Sequence, residues 1–124
     1  MGSTKNILRA WQAVTNGNMA STITSPVTNV QFLDNVGVQL NFTGTPVGTF
    51  AVQCSADYAQ DSQGVVINAG NWISLPLTPT PTAAGSADQI YLDLNQLSGP
   101  WMRVVYTAGS GSGTLNMYVT AKMI

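Results

Sequence analysis

The segment from Trp101 to Lys122 constrains the fold most. Leu115, Met117, Val119, Ala121 and Met123 fall on one side of an extended chain and Thr114, Asn116, Tyr118, Thr120 and Lys122 on the other, the period of two that marks a sheet with one dry face. Upstream, Trp101 to Ala108 is rich in β-branched and aromatic residues, which fit a pleated, half-buried surface better than a helix. The glycine-serine stretch Gly109 to Gly113 joins the two runs, so the segment reads as one antiparallel hairpin. Its dry face requires a second layer, and the remaining chain must supply it.

The same alternation recurs upstream. Val36, Val38, Leu40 and Phe42 are in phase, with Gly37, Gln39, Asn41 and Thr43 opposite. A strand over residues 27–33 is expected to turn through Asp34-Asn35 into this one. Thr49 to Ala56 resumes with Phe50, Val52 and Cys54 in phase. Residues 57–71 form a polar excursion that holds a short Val65–Ile67 strand. Asn71 to Leu75 is a short strand, Pro76 to Ala87 a proline-rich extended loop, and Gln89 to Leu94 a strand with Ile90, Leu92 and Leu94 in phase. Seven to nine short strands and no helix in the body predict an all-β, single-domain β-sandwich with jelly-roll or Greek-key connections, a closed barrel being the alternative. At 124 residues the chain suits one core.

Residues 1–25 differ from the domain at 26–124 and are set apart as an extended N-terminal arm. Ile7, Trp11 and Val14 recur at helical spacing, but one or two turns do not sustain a helix. The arm either lies on its own domain or docks on a neighbouring subunit, because exposed apolar residues on a terminal segment need cover.

Only 7% of residues are charged, so the surface must be built from Ser, Thr, Asn and Gln, with little self-repulsion to hold copies apart. Lys5 and Arg9 lie in the first ten residues; beyond them Arg103 and Lys122 are outnumbered by Asp34, Asp57, Asp61, Asp88 and Asp93. A body of that sign repels phosphate, and nucleic-acid binding is not expected. Nothing approaches the ~20 apolar residues of a membrane span, and no signal peptide is apparent. Neither a membrane partner nor export is expected, and synthesis in a cytoplasm fits the single cysteine.

Histidine and glutamate are absent, which removes the usual tunable acids and bases and makes an enzyme unexpected. Cys54, in phase with Phe50 and Val52, is expected in the core and inert. Asp57 and Asp61 share the excursion but lack the dense oxygen ligands of a calcium loop. The stretch Gly109 to Gly113 lacks the lysine and helix of a phosphate cradle and reads as a flexible loop. No cofactor or metal is expected. Arg103, in phase with Trp101 and Val105, is either an ion-pair partner, with Asp93 a candidate, or an interface residue laid on an aromatic plane. The candidate interface residues are Ile7, Arg9, Trp11 and Val14 on the arm, Pro79 and Pro81 in the loop, and Trp101 and Arg103.

Several segments bear a family resemblance: Val30 to Gly37, Thr45 to Gln53 with Ser55, Asn71-Trp72, Tyr91 to Leu97, Arg103 to Tyr106, and Ser112 to Leu115. Over residues 26–122 the chain resembles small virion structural proteins of tailed bacteriophages. The resemblance implies a β-sandwich that decorates or cements the head on the capsid surface. Its partners would be the major capsid protein and copies of itself, as a trimer or other homo-oligomer. No catalytic residue carries over. The alternative is a tail or adhesion module that binds carbohydrate, with Trp72 and Trp101 as platforms.

Overall fold

Two sheets face each other, and strands distant in sequence lie side by side within each. The computed structural model describes residues 7–30, 35–95 and 100–123. Its strands are β1 (Ile7–Asn18), β2 (Ile23–Thr24), β3 (Thr28–Asn29), β4 (Asn35–Gly44), β5 (Val47–Ser55) and β6 (Ala59–Gln60). The second half supplies β7 (Val66–Asn68), β8 (Ile73–Ser74), β9 (Thr82–Ala84), β10 (Asp88–Asn95), β11 (Trp101–Ser110) and β12 (Gly113–Met123). One sheet runs β1-β12-β4-β10 and the other β2-β11-β5-β8, with β3 also on β11 and β9 also on β5. Of the short pieces, β6 and β7 pair only with each other and stand outside both layers, while β2 with β3 and β8 with β9 make two broken edges. Ser25 bonds Val104 between β2 and β3, and the bonds from Leu75 N to Val52 O and from Phe50 N to Pro81 O continue the edge between β8 and β9. Counting each broken edge as one strand, the orders become 1-8-3-6 and 2-7-4-5, a jelly roll.

The alternating side chains are inward as expected. Val36, Val38, Leu40 and Phe42 of β4 face Phe50 and Val52 of β5, Met102, Val104 and Tyr106 of β11, and Leu115, Met117 and Val119 of β12, all buried. Phe42 and Phe50 stand 5.7 Å apart and Phe50 and Tyr106 4.9 Å apart, so an aromatic stack bridges the layers. Each large apolar side chain withdrawn from water contributes about 1.5–3 kcal/mol, which is why the pattern survives with so few charges.

Neighbours differ from the expectation. Segment 101–123 is not a hairpin: β11 pairs β5 from Trp101↔Ser55 to Ser110↔Val47, while β12 pairs β4 from Gly113↔Gly44 to Lys122↔Asn35. The segment therefore lies along residues 35–55 as one long ribbon, and both chains bend together at Thr45-Pro46 and Gly111-Ser112. Thr45 N donates to Ser112 O at 2.8 Å there. Gly111 has φ +72°, and a Cβ on it would overlap the Thr45 carbonyl, so the glycine-serine stretch is a fitted corner rather than a slack loop. Likewise β3 and β4 lie in opposite sheets instead of pairing; the proposed turn at Asp34 lies outside the described residues. In the proline-rich loop, β9 adds a strand to β5.

Residues 7–18, assigned above to an arm, are β1, an edge strand of the sandwich, and β2 joins the other sheet. The helical spacing has a different origin. Trp11 sits opposite Val119, Val14 opposite Met117 and Gly17 opposite Leu115, with register shifts between them. Each bulge inserts chain into one strand only, so a spacing of three returns a residue to the same face. Asn116 Oδ1 stitches the bulged strand by accepting Gln12 Nε2 and the Asn16 N–H, each at 3.0 Å.

Candidate functional site

The outward side of the β11–β5 sheet carries a cluster of aromatic and polar contacts, built by the excursion at 57–71. Ser55 ends β5 buried. Its Oγ accepts the Tyr58 N–H at 3.1 Å and donates to Asp57 Oδ1 at 2.9 Å. Asp57 then closes the loop: Oδ1 accepts the Asn71 N–H at 2.8 Å and Oδ2 accepts Asn71 Nδ2 at 2.7 Å. The Asn71 backbone and side-chain bonds, with Ser55, hold the Asp57 carboxyl below its ordinary pKa. A segment whose ends are tied this way is a compact surface loop.

Tyr58, buried at the loop's base, packs against Trp72 at 5.4 Å and edge-on against Trp101 at 5.0 Å. Trp72 Nε1 donates to Ala69 O at 3.1 Å. Arg103 lies over the Trp72 ring, 4.4 Å from its centroid, and its Nε donates to Gln53 Oε1 at 2.8 Å. Of the two readings of Arg103, the aromatic plane is the one present, and it comes from the same chain. Asp93, the suggested ion-pair partner, is on β10 in the opposite sheet. Both tryptophans are half-buried and lend ring surface to Tyr58 and Arg103.

The remaining candidates are scattered. Trp11 and Val14 pack half-buried against the core of their own chain. Ile7 and Arg9 pair in register with Met123 and Ala121 at the start of β1. Pro81 is buried beside β5, and Pro79 is exposed. Cys54 is half-buried, not in the core cluster, because β5 nears the broken β8 edge there; burial still pushes its thiol pKa up. Asp61 caps its own turn, its Oδ1 accepting the N–H groups of Gln63 and Val65. Among the described residues no three His, Cys, Asp or Glu side chains are grouped for a metal.

Sequence reasoning missed the exposure of the excursion's apolar run. Val65, Val66 and Ile67 are solvent-facing, Ile67 at 67%, and Ile73 on the β8 edge is 69% exposed. The available signal was three consecutive β-branched residues inside a polar stretch, too short to reach a core. Tyr58 and Gln53 were also missed.

The fold is shared. A crystal structure of the SPBc2 prophage-derived protein YomS matches with a TM-score of 0.53 at 12% identity, over 97% of this chain and 98% of that one. Chains from infectious bursal disease virus also match: the T13 viral particle at TM-score 0.55 and 12% identity, and the Gt strain at 0.52 and 13%. This chain covers 98% of itself in both but spans only about a third of the viral chains, 32% and 33%. No protein-family model and no curated protein matches the sequence.

Proposed function

We propose that the chain is a non-enzymatic structural protein of a virus particle, a decoration or cement subunit on the head of a tailed bacteriophage. It would bind between capsomers and stabilise the shell. The observation that carries this reading is the strand order, 1-8-3-6 over 2-7-4-5, a jelly roll of the kind used in viral capsids. The prophage-derived neighbour of nearly equal length and the viral-particle neighbours support it. The physics of the surface supports it too. A chain in which only 7% of residues are charged, with an exposed Val65–Ile67 run, suits burial against neighbours, and many modest contacts on a symmetric shell add through effective concentration. Copies of itself and the major capsid protein are the partners this reading requires.

The test uses purified heads lacking the protein. Added wild-type chain should bind them in a copy number set by the icosahedral lattice and raise their resistance to heat. The Ile67→Asp and Ile73→Asp variants should fold normally and bind less. Wild-type chain found only on tails, or absent from particles, overturns the reading. Truncation of residues 1–14 is a poor probe, because it removes much of β1 from its own sheet.

A further inference from the structure

The outward face of the β1-β12-β4-β10 sheet has a composition of its own. Residues directly opposite in register share a face, so Gln12, Tyr118, Gln39 and Tyr91 form one row across four strands. Asn116, Asn41 and Gln89 form the next. Every side chain in these rows is an amide or a tyrosine. Primary amides both donate and accept, as sugar hydroxyls do, and a tyrosine ring adds an apolar plane with a polar tip.

Tyr91 is built as a platform. Its Oη is 2.9 Å from Thr120 Oγ1, two strands away. To reach that far it must cross Gly37, where an added Cβ would overlap the hydroxyl. The side chain thus lies along the sheet instead of standing on it, and it remains 56% exposed. Open depressions lie on either side. One of about 520 Å³ is bounded by Asn41, Asp88, Gln89 and Asn116, within the ~300–1,000 Å³ of ligand sites; one of about 180 Å³ is bounded by Gly37, Tyr91 and Asp93.

We propose that this face binds a neutral oligosaccharide, with Tyr91 as the stacking plane, Gln89 as donor and acceptor, and Asn41 and Asn116 as donors through Nδ2, their Oδ1 atoms already accepting from Gln39 and from Gln12 and Asn16. Charge favours the class: Asp88 and Asp93 bound the two depressions against one base, Lys122, which is opposite Asn35 in register, so the balance is negative and a polyanion is disfavoured. A second copy of the chain fits less well, because self-association interfaces have apolar cores and these rows are amide-rich. The tryptophans of the opposite sheet are poorer platforms, since Arg103 and Tyr58 already occupy ring surface on Trp72. The inference goes beyond the virion reading and does not depend on it.

The experiment is calorimetry and saturation-transfer NMR on the intact chain with soluble hexasaccharides of glucose, mannose and N-acetylglucosamine, and a heparin hexasaccharide as anionic control. At least one neutral sugar should bind, with saturation passing to its protons when the aromatic protons of the protein are irradiated. Tyr91→Ala and Gln89→Ala should each weaken it by about tenfold or more with near-UV circular dichroism unchanged, while Trp72→Ala retains binding. The proposal is overturned by no binding to any neutral sugar at millimolar concentration, or by preference for heparin. It is equally overturned if binding survives Tyr91→Ala, or if sedimentation shows a dimer that Tyr91→Arg dissolves.

Discussion

Ser25 replaces a missing length of strand against Val104. Its N–H donates to the Val104 carbonyl and its Oγ accepts the Val104 N–H, both at 2.8 Å. Pro26 follows immediately and has no N–H to offer, so the edge of the sheet breaks between β2 and β3. The buried serine side chain satisfies the backbone group left over.

Ser25→Ala leaves the Val104 N–H buried with its acceptor gone. A buried donor without a partner costs about 1–3 kcal/mol. Urea unfolding should show a midpoint lowered by that loss divided by the slope, with the slope unchanged, since the exposed surface stays the same. A midpoint equal to wild type would mean that the edge relaxes to let water reach Val104.

Gly37 and Tyr91 form a second dependent pair. Gly37→Val forces the Tyr91 ring off the sheet and breaks its bond to Thr120, and overpacking of this kind costs about 1–3 kcal/mol. Tyr91→Ala removes the nearest obstacle and leaves only Thr120 Oγ1, a terminal atom free to turn aside once its bond to Tyr91 is gone, so the cost of Gly37→Val should shrink in that background. A double-mutant cycle by thermal unfolding measures this coupling; strict additivity would show that the ring yields freely.

Tyr106 makes the opposite prediction. Its ring is fully buried, and its hydroxyl, pressed against Gly48, has no hydrogen-bond partner among the described residues. Burial pushes its pKa up. Tyr106→Phe removes an unsatisfied polar atom while keeping the ring against Phe50, so stability should rise by about 1 kcal/mol. Calorimetric unfolding checks this, and a loss would reveal a partner for the hydroxyl.

These relationships mark the limit of what the amino-acid pattern could disclose. Alternation reports which face of a strand is dry, and on β4 and β12 it identified the buried residues correctly. It does not report the neighbour, so the run at 101–123 looked like a hairpin with itself when its true partner is residues 35–55, a contact far away in sequence. On β1 two bulges broke the period, and Trp11 and Val14 took on helical spacing. The excursion was legible as a polar loop with a short strand at residues 65–67. Its closure by Asp57 and Asn71, and the stacking of Arg103 on Trp72, depend on the approach of distant segments and left no local mark.

The Asp57 closure is pH-sensitive, and its sign follows from the direction of the shift. Hydrogen bonds to the ionised carboxylate lower its pKa in the folded chain, so the unfolded chain holds the proton more tightly. The contribution to stability is then complete above the ordinary carboxylate range and is lost as the pH falls through the lowered folded value. Protonation weakens the acceptors that hold the Asn71 N–H and Nδ2, and the loop between them loosens. Because Trp72 adjoins Asn71 and stacks beside Tyr58, its fluorescence should change in strong acid before the sandwich unfolds. Asp57→Asn places an amide where both acceptors stood, so at neutral pH it should show the acid-like emission and no further acid step. Identical acid titrations of the two proteins would show that the loop is held by its aromatic base alone.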